Sequence, residues 1–187
     1  MSTAVRICTA TIKGIGPYSA SRAHNEEKLP RETSDAYEER TWRSKAHIEG
    51  GKVVVPSMAF KFSLDVAAKM IGRQIPGKGK STYTKFFVSG VLCIENVIIG
   101  DESAIKCERV YVNADGVRGS GKRVWKNFPR LDNWGGKVAL HVTSAEITKD
   151  IFEESLSYAG MYLGVGRFRP ANGGYMGRYE VTQFAWS

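Results

Sequence analysis

Cysteine is sparse. Cys8, Cys93 and Cys107 are odd in number and have no C-x-x-C spacing, which argues against both a disulfide framework and a zinc knuckle. No apolar run reaches the length of a membrane span. The first residues, MSTAVRICTATIKG, contain no h-region, so no signal peptide is expected and a cytoplasmic, reducing setting is. Histidine is limited to His24, His47 and His141, and no H-E-x-x-H, G-x-S-x-G or paired-aspartate motif occurs. No metal and no cofactor is therefore expected. Acid is also short: 27 Lys and Arg against 19 Asp and Glu leave a net charge of +8 on 187 residues. Such a surplus favours a polyanionic partner or an acidic surface, without choosing between them.

What the chain does have is a glycine-rich stretch, Gly164–Tyr179, reading GVGRFRPANGGYMGRY. Its glycines, among them Gly173 and Gly174, let backbone approach a ligand closely. Arg167, Arg169 and Arg178 offer forked donors suited to phosphate, and Phe168, Tyr175 and Tyr179 offer faces on which bases stack. The stretch contains no acid. This composition reads as a nucleic-acid loop; the plain alternative is a merely flexible or sharply turned connection.

Alternating apolar residues predict a first strand over Val5–Ile15. A polar, charged insertion follows over Gly16–Arg43, with a short helix expected around Tyr37–Arg40. Ser44–Ile48 and Lys52–Val55 flank Gly50-Gly51 and read as a hairpin. The periodicity of Phe60, Leu64, Ala67 and Ile71 predicts a helix over Met58–Ile71, with Ser57 as its cap and Gly72 as its stop. The basic loop Gly72–Thr84 resembles a phosphate loop but fails its spacing; Lys78 and Lys80 are candidates for backbone contacts. Lys85–Ile99 reads as a long apolar strand, either buried on both sides or bent at Gly90. A second insertion, Gly100–Trp134, carries a strand over Lys106–Asn113, a turn at Ala114-Asp115-Gly116, and a run in which Arg118, Lys122, Arg123, Lys126 and Arg130 interleave with Trp125 and Phe128. That run fits either backbone neutralisation with base stacking or a solvated hairpin with Trp125 in the core. Lys137–Thr143 is a further strand, Thr148–Leu163 a second helix, and Arg178–Trp186 the closing strand. Without its insertions the order is βαββαβ. The expected fold is thus α+β, ferredoxin-like (RRM-like), a single domain over 1–187 with insertions at 16–56 and 100–135, and an open sheet face available as a single-strand platform.

This order, with GVGRFRPANGGYMGRYEV running into the last strand, resembles the CRISPR-associated RAMP superfamily. GGKVVVPSMAFKFSLDVAAKMIG is similar to the hairpin, proline and first helix of the repeated backbone subunits of its multisubunit effector complexes. It keeps Val55-Pro56-Ser57 and lacks their Ser-Leu-Lys-Gly. RVWKNFPRLDNWGGKVALHV resembles the basic approach to their third sheet strand. The resemblance implies binding of single-stranded RNA, self-association or other subunits of a nucleoprotein complex as partners, a filament on a guide, and insertions that act as thumb and palm. It also implies a catalytic aspartate in the loop after strand one in target-cleaving members, a place that Asp35 occupies here among other acids.

A ribonuclease would need a general base, and His24, His47 and Asp35 are the candidates. Their spacing identifies no partner, so the reading leans to a binding protein. Three other readings stay open. One is a single-stranded DNA-binding protein of a replication, recombination or phage system. Another is a RAMP-type endoribonuclease, and the last is a structural or inhibitory protein docking on an acidic protein surface. Composition does not separate RNA from DNA.

Overall fold

In the computed structural model, which describes residues 5–117, 119 and 121–187, the elements follow in the order β1 (Arg6–Gly14), β2 (Tyr18–Ser19), α1 (Ser34–Thr41), β3 (Ile48–Glu49), β4 (Lys52–Val55), α2 (Ser57–Ile71), α3 (Thr84–Gly90), β5 (Val91–Leu92), β6 (Val97–Asp101), β7 (Lys106–Asn113), β8 (Arg123–Leu131), β9 (Gly135–Val142), α4 (Lys149–Tyr158) and β10 (Tyr179–Trp186). The alternation in Arg6–Gly14 puts Cys8, Ala10 and Ile12 on one face. Opposite them stand Leu140, Val138 and Gly136 of β9. Together with β10 and β5 they form an antiparallel sheet in the order β10-β1-β9-β5. Taking β1, β5, β9 and β10 as the four core strands, that order is 4-1-3-2, the ferredoxin-like arrangement. Helices α2 and α4 cover the apolar face: Phe60, Leu64, Phe152 and Leu156 pack in one core with Cys8, Ala10, Val138 and Leu140.

Helix α4 starts where Thr148 Oγ1 accepts from the Ile151 N–H, and its last turn opens into a π-helical turn over Ala159–Leu163. There Gly160 lies against β10: an added Cβ would sit 2.4 Å from the Tyr179 carbonyl. Two small sheets, β2-β8-β7 and β3-β4-β6, are built by the insertions.

Three expectations change. Lys85–Ile99 is not one strand. Its first part is helix α3, which stacks Phe87 on Phe152 at 6.4 Å, followed by two short strands in different sheets. A continuous apolar run has no period to tell a buried helix from a buried strand. Second, Ser57 is the first helical residue rather than the cap. Pro56 stands at the cap position, and Asn96 Oδ1 accepts from the Ser57 N–H at 3.0 Å in place of a local side chain. Third, the open sheet face carries Ile7, Thr9, Thr11, Lys137, Ala139, His141, Gln183 and Ala185. The His141 imidazole is the one aromatic ring on these positions, and no Phe, Tyr or Trp stands there, so this face lacks the paired aromatic stacking surface of an RNA recognition motif. Trp186, the obvious candidate, instead packs edge-on against Phe152 at 5.2 Å on the helical side.

Candidate nucleic-acid interface

The glycine loop is a closed, two-layered structure rather than a loose connection. The Val165 N–H donates to the Gly177 carbonyl at 3.0 Å and the Met176 N–H to the Phe168 carbonyl at 3.0 Å. The loop is also pinned to the segment around β2: the Arg167 N–H donates to Ser19 O at 2.7 Å and the Gly177 N–H to Pro17 O at 2.8 Å. Gly177 makes the close approach possible. Its φ is +71°, and an added Cβ would fall 1.8 Å from the Val165 carbonyl oxygen. Gly177→Ala is therefore expected to cost about 3 kcal/mol, combining the left-handed backbone with a displaced strand of the loop. The denaturation midpoint of the variant checks this, and an unchanged midpoint would contradict the loop's geometry. Phe168 takes φ +55° without being glycine, a local strain offset by its edge-on contact with Phe128 at 5.5 Å.

That contact joins the loop to β8. The Arg167 guanidinium carbon lies 4.0 Å from the centroid of the Phe128 ring, and Arg167 Nη1 donates to Ser21 Oγ at 3.1 Å. Lys45 Nζ stands 4.9 Å from the same ring, donates to the Asn127 carbonyl at 2.8 Å, and pairs with Glu38. Glu38 in turn accepts from the Asn127 N–H at 2.9 Å. The base of the β7–β8 hairpin, α1 and the glycine loop are thus tied together around Phe128.

Beside this junction lies a recess of about 360 Å³ lined by Ser21, His47, Gly166, Arg167, Arg169 and Asn172, together with Tyr18, Ala20, Pro56 and Ala59. No carboxylate is among these residues. Arg169 Nη1 donates to the Gly166 carbonyl at 3.0 Å, which holds it at the rim. Burial pulls the pKa of Arg167 below its ordinary value, opposed by Glu38, yet a guanidinium stays charged. Burial, then the neighbouring Arg22, lowers the pKa of His47, with Glu49 acting against them. Nε of Arg167 and Nε of Arg178 are buried without a hydrogen-bond partner. Two guanidiniums, a hydroxyl and an amide facing one acid-free recess are suited to the oxygens of a phosphate. Gly173 and Tyr175 lie exposed in the same loop and Gly174 is half-buried.

The other candidates divide. Trp125 is not in the core: it is 50% exposed and forms a ladder with Tyr111 at 5.1 Å, flanked by Arg109 over its own ring and Arg123 over the Tyr111 ring. Strand alternation puts this ladder on the hairpin face opposite to Phe128. Lys122 is exposed, and Lys126 Nζ donates to the Ala114 carbonyl at 3.3 Å. Arg118 lies outside the described residues. Arg130 is held between Glu108 at 2.8 Å and Asp132 at 2.6 Å, so its charge is matched within the chain. Lys78 pairs with Glu146. Lys80 is exposed, and both lysines follow the C-terminal end of α2. Ala59, at the recess, is in the first turn of that helix, about 20 Å away along its axis.

The three proposed catalytic groups do not converge. Ala46 and Ile48 line a recess with His24, Arg22, Arg43 and Glu102, whereas His47, between them, faces the arginine recess. Asp35 is exposed and pairs with Arg109 at 3.0 Å.

No family model and no curated protein matches the sequence. Solved structures do match. The chain is similar to the crystal structure of Cmr6 from Pyrococcus furiosus, with 13% identity over 95% of this chain and 99% of that one at a TM-score of 0.50. It is also similar to a chain in the cryo-EM structure of the Type III-B Cmr-beta bound to cognate target RNA, with 8% identity over 97% of this chain and 60% of that one at a TM-score of 0.58. At these identities the likeness is one of fold. The chain has the α+β, ferredoxin-like fold that its order of elements predicts, and shares it with these two structures.

Proposed function

We propose that this protein binds single-stranded nucleic acid, RNA in the first place, along its backbone and with little sequence preference, as a subunit of a CRISPR-type nucleoprotein complex. The observation that carries the reading is the acid-free recess in which Arg167 and Arg169 of the glycine loop face Ser21 and His47. A phosphate placed there meets two forked cations on a framework already fixed by backbone hydrogen bonds, so little ordering is required on binding. The Tyr111–Trp125 ladder gives a second contact region at the hairpin, with aromatic faces next to Arg109 and Arg123. That one solved neighbour is a chain of a Type III-B Cmr-beta assembly bound to cognate target RNA agrees with the reading.

Two measurements test it. The purified protein is expected to carry nucleic acid, visible in its absorbance ratio and removed by ribonuclease. After stripping, it is expected to shift single-stranded RNA in gels, with log affinity falling linearly in log salt by about 0.7 per phosphate contact. Competition with DNA of the same sequence separates the two polymers. A protein free of nucleic acid that shifts neither polymer at low salt sinks the reading and favours docking on an acidic protein.

A further inference from the structure

Helix α2 is apolar on two sides. Phe60, Leu64, Ala67 and Ala68 face the core, while Met58, Phe62, Val66 and Met70 recur every four residues on the outside, each more than 40% exposed. Four large apolar side chains in one water-facing row call for an occupant. The first three line a groove of about 330 Å³ between α2 and the glycine loop. Its floor is Leu163, Gly164 and Val165, and its far wall includes Arg169 and Ala171. Ser63 Oγ donates to the Gly164 carbonyl at 3.2 Å, which fixes the helix against the loop. Ala59, Gly166 and Arg169 belong to both this groove and the arginine recess. Neither lining contains a carboxylate.

We infer that the groove is a base subsite: it takes one unstacked nucleobase of the bound strand, stacked on Phe62 between Met58 and Val66, while Arg169 on the shared rim holds the adjoining phosphate. The inference rests on the single-strand reading above. A nucleotide is itself an apolar face joined to an anion, and the groove and recess repeat that pairing with a common wall. An apolar protein segment would use the stripe but leave the cationic rim unanswered. Stacking on an aromatic face tolerates every base, consistent with a site that reads no sequence.

The test compares an ordinary single-stranded RNA with one of the same length carrying abasic nucleotides throughout, against the full chain and against Phe62→Ser. Phe62 is 60% exposed, so the variant is expected to fold, which circular dichroism checks. The full chain is expected to bind ordinary RNA more tightly than abasic RNA. Phe62→Ser is expected to lose about tenfold in affinity for ordinary RNA and little for abasic RNA, with the salt slope unchanged in both. Equal losses on the two RNAs, or no loss, overturn the subsite and leave the phosphate recess standing. A change in sedimentation of the RNA-free protein on Phe62→Ser also overturns it, because the stripe then covers a second copy of the chain. If the unmodified chain binds neither RNA, the single-strand reading itself has failed and the subsite falls with it.

Discussion

Replacing Arg167 and Arg169 together by alanine is expected to weaken single-stranded RNA binding by about 30-fold at moderate salt, from the loss of two charge-assisted contacts worth about 1 kcal/mol or more each. The loss is expected for every sequence tested, since backbone contacts carry no sequence information. The slope of log affinity against log salt is expected to fall by about 1.4, or 0.7 for each phosphate contact removed. The two arginines act differently. Among the described residues the Arg169 side chain hydrogen-bonds only the Gly166 carbonyl, so Arg169→Ala should act mainly on binding. Arg167 also packs on Phe128 and bonds Ser21, so its removal should lower stability slightly as well. Arg167→Lys keeps the charge but neither the fork nor the flat stacking surface. Its affinity is expected to fall between the parent and Arg167→Ala while its salt slope stays with the parent. Unchanged affinity and slope in the double variant would place the phosphate contacts elsewhere.

Lys45→Ala is expected to be the most damaging single substitution outside the core. The Lys45 side chain is only 8% exposed and its partner Glu38 14%. Removing the ammonium leaves a largely buried carboxylate with the Asn127 N–H and the more distant Arg167 charge, and takes the Lys45 donor from the Asn127 carbonyl. Breaking a buried pair from one side costs about 3–5 kcal/mol. In a chain of this size that corresponds to a fall of about 10 °C in the thermal midpoint. A Lys45→Met, Glu38→Gln double variant keeps the volume and removes both charges. It is expected to lose less than Lys45→Ala alone, and a calorimetric cycle over the parent, Lys45→Met, Glu38→Gln and the double variant checks the coupling. Purely additive losses would mean that the two residues do not act as a pair.

The core was legible because its signals are local. Strand alternation in Arg6–Gly14, the period of Phe60, Leu64 and Ala67, and the glycines that close the last loop each sit within a dozen residues. Lys85–Ile99 was not, since buried apolar residues on all sides erase the period that separates helix from strand. The outward row on α2 was missed for a related reason. Phe60, Leu64 and Ala67 already account for the helix, and nothing in the sequence asks what Met58, Phe62, Val66 and Met70 do. Among the basic candidates, composition could not tell Arg130 and Lys78, whose charges are matched by Glu108, Asp132 and Glu146, from Arg167 and Arg169, which face a recess. Those ion-pair partners lie between 2 and 68 positions along the chain, and only the fold brings most of them together. Phe128 was read as one ring in a basic run. Its role as the junction of hairpin, α1 and glycine loop needs all three in place.

The strand order β10-β1-β9-β5 leaves the main sheet with two unlike rims. On one side β5 is two residues long, too brief a template for another chain to add to. On the other, β10 runs eight residues, and no strand among the described residues pairs with its outer side. A rim of that length invites edge-to-edge aggregation unless it is blunted. Two features blunt it: the register slip opposite Thr11 and Ile12, which adds local twist, and Glu180, exposed near its start. Charge and twist at one margin thus disfavour the pairing of two such sheets edge to edge.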